Sequence, residues 1–230
     1  MMDQDLQRWF EEQGRREKET KLERFRRLNR FARRGQIVFA GSSLMEQFPI
    51  NELLMDLRLP YTVYNRGVGG FTTGEMADAL EECVLALEPA QLFLNIGTND
   101  LNGPDYVEEE MLGRYRDILR RIRERLPQVR LYLLAYYPVN PEVSGEPFMQ
   151  EVFRFRTNER IKSASQGVRR LAEEFGGEFM DLNAGLLDEK GQLKAEYTIE
   201  GMHMYADGYW QVLERLLPKL REIAETDHKY

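Results

Sequence analysis

The sequence predicts an α/β domain, a five-stranded parallel sheet sandwiched between helices in three layers, with an amphipathic helical extension at its N-terminus. Three observations carry this. Five short β-rich runs recur along the chain: Gln36–Ala40, Tyr61–Asn65, Leu92–Ile96, Leu131–Tyr136 and Glu178–Leu182. Helical patterns separate them, and alternating strands and helices make βαβ units, hence a parallel sheet. The chain has 230 residues, enough to bury one sizeable core.

Residues 3–34 read as one or two amphipathic helices, with Gly14 as a break point. The apolar positions Leu22, Phe25, Leu28 and Phe31 are expected to dock on the domain. Arg15 to Arg34 holds ten basic against three acidic residues, in a chain whose net charge is −7. Glutamates interrupt the run and no RNA- or DNA-binding motif accompanies it. A solvated, ion-paired helix is therefore expected rather than a nucleic-acid interface. Residues 35–226 form the second unit. A helix begins near Ser43. Another begins at Thr72-Thr73-Gly74-Glu75, which has the spacing of a capping box. A third covers 106–126 and stops at Pro127. A fourth covers 149–175 and stops at Gly176-Gly177. The last runs over 206–226, with Pro218 inside it. The irregular stretch Pro138–Phe148 is placed to wall or cover a site beyond the fourth strand.

Composition narrows the function classes. Hydrophobic residues make up 42% and charged residues 31%, as in a soluble globular protein. The longest apolar runs are too short to span a bilayer, and Met1–Asp5 lacks the apolar core of a signal peptide. Cys83 is the single cysteine, so no internal disulfide forms and a cytoplasmic location is expected. It falls on an apolar helix face with Leu80, Val84 and Leu87, as a core residue does. No stable membrane association is expected. The N-terminal segment can pack on its own domain or in a homodimer, and the pattern leaves both open.

Four polar motifs follow one another along the chain: Gly41-Ser42-Ser43-Leu44, Asn65-Arg66-Gly67-Val68-Gly69-Gly70, Gly97-Thr98-Asn99-Asp100 and Glu200-Gly201-Met202-His203. The first three follow strand-like runs, so the rule for open α/β sheets brings them to one rim, beyond the carboxyl ends of the strands. Ser43 opens a helix, where a serine can equally be a cap, and Ser42 lies beside it. Gly67, Gly69 and Gly70 make a turn where backbone can approach a ligand; the spacing is neither the dinucleotide fingerprint nor a phosphate loop. The Asn99 amide is a donor, while Asp100 suits a loop-holding role. His203 has Glu200 three residues earlier, a spacing at which a carboxylate can fix an imidazole tautomer. The only other histidine, His228, lies in the C-terminal tail. With no second histidine nearby and no cysteine cluster, no metal is expected. A serine, small-residue backbone donors, an amide and a carboxylate–histidine pair are the parts of acyl transfer to serine and then to water.

In this order the four motifs resemble those of the SGNH (GDSL-type) hydrolases, over roughly residues 36–220. The resemblance implies that family's flavodoxin-like three-layer fold and a catalytic triad of Ser43, His203 and Glu200. It further implies an oxyanion hole from the Ser43 and Gly70 N–H groups and the Asn99 amide. Two positions depart from the usual pattern: Ser42 stands where the first block carries Asp, and Glu200 where the last carries Asp. Thr72, Thr73 and Tyr137 are substrate-pocket candidates by position. The expected activity is hydrolysis of a short-acyl carboxylic ester, such as an acetyl ester of a carbohydrate, with no cofactor. Lysophospholipase or thioesterase activity, and a non-catalytic domain binding a carbohydrate or acyl ligand, are the alternatives. A third alternative is an interaction protein working through the basic helix; deleting that helix would spare turnover in an enzyme whose core still folds and abolish binding in an adaptor.

Overall fold

The structure is a computed structural model that describes residues 4–227, with side chains from Arg8 onward except those of Glu11, Thr226 and Asp227. The five expected strands are present as β1 (Ile37–Gly41), β2 (Val63–Gly67), β3 (Gln91–Asn95), β4 (Arg130–Leu134) and β5 (Glu178–Met180). All pair in parallel, in the order β2-β1-β3-β4-β5. Strand order reverses between β1 and β3, so a crevice opens beyond their carboxyl ends.

Both sheet faces are covered, which explains why β1 and β3 are buried along their whole length. On one face Val38, Ala40, Leu92, Leu94, Leu131 and Leu133 pack under α1 (Gln4–Asn29), α4 (Thr73–Asp78), α5 (Leu80–Cys83), α6 (Glu108–Arg125) and α8 (Asn158–Glu174). On the other, Phe39, Phe93, Tyr132 and Leu134 meet α2 (Ser43–Glu46), α3 (Ile50–Asp56) and α9 (Ala206–Asp227). Strand register places Phe39 opposite Phe93 and Phe93 opposite Tyr132, and the rings stack at 4.7 and 4.5 Å. Cys83 is fully buried, and burial pushes its thiol up to about 12, so it is a core residue and not a nucleophile.

One open alternative is resolved and two expectations are corrected. The N-terminal segment is one continuous helix through Gly14 and ends at Asn29. Of its apolar positions Phe25 is buried and Leu22 packs against the core, but Leu28 and Phe31 are 54% and 85% exposed. The docking face is narrower because polar ties replace part of it. Arg66, buried and stacked over Phe25, donates to Asn29, and Arg26 pairs with Glu82. The helix expected over 149–175 is two helices, α7 (Pro147–Phe155) and α8, broken at Arg156 and Thr157. Thr157 has extended backbone and its hydroxyl accepts from the Arg160 N–H, a competing N-cap inside an otherwise helical pattern. The capping box at Thr72 and Glu75 and the stop at Gly176 are as expected.

Candidate active site

Three loops converge at the crevice. After β1 the chain enters α2 directly, and Ser43 is its first residue. Ser42 occupies the N-cap position, but its buried hydroxyl makes no cap bond and has no partner among the described residues. Glu46, one turn on, accepts from the Gly69 N–H at 2.5 Å and from Lys21 of α1. It thereby ties the serine helix to the glycine turn after β2. Asn65 adds a second tie, donating to the Met45 carbonyl at 2.6 Å. As the first helical residue, Ser43 has an N–H without an intrahelical acceptor. The Gly70 N–H also finds no acceptor among the described residues. Gly70 has φ +72°, a conformation that glycine adopts at no steric cost.

The histidine arrives on the turn before α9. The His203 Nε2 atom lies 2.9 Å from Ser43 Oγ, and its Nδ1 lies 2.5 Å from Glu200 Oε1. The same carboxylate oxygen accepts from the His203 N–H at 3.2 Å. Burial raises the Glu200 pKa, but hydrogen bonds from the His203 ring and backbone, with its charge, outweigh burial and hold the carboxyl below its usual value. Nδ1 is therefore the protonated ring nitrogen and Nε2 is free to accept from Ser43. The extra methylene of glutamate is accommodated because the turn bends back on itself: Thr198 Oγ1 donates to the His203 carbonyl and accepts from the Gly201 N–H, while Asn140 N–H donates to the Gly201 carbonyl at 2.7 Å. Gly201 has φ +99°, and a Cβ there would collide with the Asn140 carbonyl and the Phe153 ring. Gly201→Ala is expected to cost at least about 2 kcal/mol, read as a lowered thermal midpoint.

The third loop follows β3. Asn99 Nδ2 donates to the Phe71 carbonyl at 2.9 Å, which seats the amide beside Gly70; its Oδ1 accepts from Arg156 at 2.7 Å. Asp100 holds the loop, as expected, accepting from the Thr73 N–H and hydroxyl at 2.9 and 2.6 Å and from Arg114.

The sequence-predicted residues thus divide. Ser43, His203 and Glu200 form one hydrogen-bonded relay; Asn99 is bonded to the residue after Gly70, and Arg156, which holds its Oδ1, touches Met202 beside His203. Thr72 lines a cleft that includes Asn99. Thr73 is fully buried under Asp100 and Arg114, because capping that loop requires its hydroxyl to turn inward. Tyr137 is buried at 2% exposure in the layer between the sheet and α9, since the chain leaving β4 keeps alternating faces. Neither presents a side chain to the cleft. Pro138 to Asn140 is buried and bonded to the Gly201 turn, so the first part of the irregular stretch is a fixed wall. His228 lies outside the described residues.

Sequence reasoning missed Lys18, Asn140, Thr198 and Arg156. Lys18, on the basic helix, donates to the Gly70 carbonyl at 3.1 Å and pairs with Glu75 at 2.6 Å. Lys18, Asn140 and Arg156 are remote in sequence from the groups they contact, and a lysine or arginine in a basic run carries no local mark of its partner. Thr198 is near in sequence, but a threonine before a turn has no signature that sets it apart from a solvated one.

A relay of this kind lets an imidazole take a serine proton while a carboxylate steadies the resulting imidazolium. The sequence profile of the GDSL-like lipase/acylhydrolase family matches residues 50–211. The chain belongs to that family. The matched span holds the glycine turn, Asn99, Glu200 and His203; Ser43 precedes it and is joined to it by the 2.9 Å contact to His203. Family membership makes the chain an SGNH-type esterase in class. Relatives span bacteria and mammals. The alpha1 subunit of platelet-activating factor acetylhydrolase IB from Bos taurus is 25% identical over 84% of this chain and 78% of its own length. A Streptococcus pneumoniae structure with the provisional name of platelet activating factor is 30% identical, with a TM-score of 0.84 over 95% of this chain and 99% of that one. An acetylxylan esterase from Geobacillus stearothermophilus shares the fold, at 17% identity and a TM-score of 0.61 over 81% and 94% of the two chains.

Proposed function

We propose that this chain hydrolyses short-acyl carboxylic esters through an acyl-serine intermediate. The observation that carries the proposal is the continuous relay from Ser43 Oγ through His203 to Glu200. Ser43 attacks the ester carbonyl as His203 takes its proton. The Ser43 and Gly70 N–H groups and the Asn99 amide receive the negative charge that develops on the carbonyl oxygen. His203 protonates the departing alcohol. Water then attacks the acyl-serine, again giving its proton to His203, and the acid leaves with Ser43 restored. Glu200 holds the imidazole in the required tautomer throughout.

Two observations favour a short acyl group on a polar alcohol. The cleft of about 410 Å³ that includes Asn99 carries the polar side chains Thr72, Asp105, Tyr106, Glu110 and Arg114 beside Val107, and so offers partners to a hydroxylated moiety. The named relatives include an acetylhydrolase and an acetylxylan esterase. Among the described residues no helix is long and apolar enough to cross a membrane. The test is turnover of p-nitrophenyl esters from acetate to palmitate, with mass spectrometry of protein treated with a fluorophosphonate. Activity that falls steeply beyond butyrate, and a covalent adduct on Ser43, are expected. A preference for palmitate would overturn the short-acyl reading, and an adduct elsewhere would overturn the nucleophile.

A further inference from the structure

Arg156 is among the largest fully buried side chains of the protein, at 2% exposure, and no carboxylate lies within ion-pairing distance of it among the described residues. Its partners are neutral: Nε donates to Asn102 Oδ1 at 2.8 Å, Nη2 to Asn99 Oδ1 at 2.7 Å, and Nη1 touches the sulfur of Met202, the residue before His203. Burial of an unpaired guanidinium is costly, and this one sits at the break between α7 and α8. Burial lowers its pKa to about 10, with Glu200 and Asp100 opposing, so it stays protonated at neutral pH.

The consequence falls on Asn99. A primary amide has one end that only accepts and one that only donates, and the two ends are nearly isosteric. A guanidinium has no acceptor, so it tolerates only the amide oxygen. Arg156 therefore forbids the flipped amide and turns Nδ2 toward Phe71 and Gly70, where one N–H is taken by the Phe71 carbonyl. The second N–H remains for a ligand. The charge on the guanidinium also polarises the amide, making that N–H a stronger donor.

We infer that Arg156 is a positioning residue for ester hydrolysis, locking the Asn99 side-chain amide with its N–H edge toward the site of the developing oxyanion. The inference rests on the proposed acyl-serine mechanism. It makes Asn102, which shares the guanidinium and also approaches Asn99 Oδ1 at 3.5 Å, part of the same clamp.

The test uses the full chain with Arg156→Met and Arg156→Lys, alone and combined with Asn99→Ala, on the best p-nitrophenyl ester. Asn99→Ala alone should lose about 10²–10³ in kcat. Arg156→Met should lose about 30–100-fold in kcat with KM within about threefold, and adding Asn99→Ala to it should cost less than about tenfold more, because the two act as one unit. Arg156→Lys keeps the charge but not the fork; it should recover only part of the loss at a near wild-type thermal midpoint. This variant carries the test if Arg156→Met does not fold. Unchanged kcat in a folded Arg156→Met, a full recovery by lysine, or losses that multiply with those of Asn99→Ala would overturn the inference. A readout without substrate separates it from the mechanism: the side-chain amide resonances of Asn99, assigned by their disappearance in Asn99→Ala, should give one set of slow-exchanging signals in wild type and shift or broaden in Arg156→Met. Unmoved resonances would overturn the clamp whatever the enzyme hydrolyses; moved resonances with no turnover by wild type on any ester would support the clamp while the proposed activity fails.

Discussion

Ser43→Ala is expected to abolish ester turnover, lowering kcat by at least about 10⁴ while leaving the thermal midpoint within about 2 °C of wild type. The first part follows from the geometry: Oγ is the hydroxyl hydrogen-bonded to His203 Nε2, and without it the imidazole has no serine proton to take. The second follows from position. Ser43 is half-buried, Ser42 and not Ser43 stands at the N-cap, and the hydroxyl makes no bond that holds α2 in place. His203→Ala should lose a similar factor, and the double variant no more than either single one, because the pair acts as a unit. The check is steady-state kinetics on the best short ester beside a thermal melt. A Ser43→Ala protein within about tenfold of wild type would remove the serine from the mechanism.

Glu200→Gln should cost about 10³–10⁴ in kcat with little change in KM. The amide keeps the shape but can present its NH₂ to Nδ1, which favours the tautomer with Nε2 protonated and blocks transfer from Ser43. Glu200→Asp is the companion: one methylene shorter, it loses reach from a turn shaped around glutamate and should fall between the two. Wild-type activity in Glu200→Gln would show that a different acceptor orients His203. The same carboxylate gives a signed pH dependence. Its pKa in the folded state lies below the ordinary 4.5, net of a burial contribution that raises it. Its stabilisation is therefore complete above pH 4.5 and is lost as pH falls through the lower folded-state value. Thermal midpoints measured from about pH 7 to about pH 3 should drop less steeply in Glu200→Gln than in wild type once the pH is below the ordinary carboxylate value.

The elements that a reader of the sequence locates are those with local signatures. β1 and β3 are short apolar runs because a parallel strand is covered on both faces, and the blocks after β1, β2 and β3 are legible because turns need glycine and asparagine. The Glu200–His203 pair is legible because its members are three residues apart. Legibility fails where the determinant is tertiary. Thr73 and Tyr137 sit at rim positions in the sequence, yet Asp100 draws one inward and the alternation after β4 buries the other. The break at Arg156 and Thr157 is hard to see in a helical pattern running from 149 to 175: a threonine cap looks like any helical threonine, and the acceptors that Arg156 reaches lie on a loop 54 and 57 residues away. Leu28 and Phe31 continue the apolar stripe of α1 past the point where there is anything to bury them.

The ion pairs of α1 have an electrostatic consequence for any shortened form of the chain. Lys21, Lys18 and Arg26 pair with Glu46, Glu75 and Glu82, carboxylates of α2, α4 and α5, the first two beside the glycine turn. A chain beginning at Gly35 would lose these counterions, and with them the Lys18 contact to the Gly70 carbonyl and the Phe25 packing on the core. Of the carboxylates left bare, Glu46 is bonded to the Gly69 N–H and Glu75 caps the helix after the turn, so the barrier would rise through their field as well as through any shift of the glycine turn. Such a loss would shrink as ionic strength rises, since salt would do the screening that the helix does in the intact protein. The extension is in that sense a built-in counterion layer, packed on the fold that it serves.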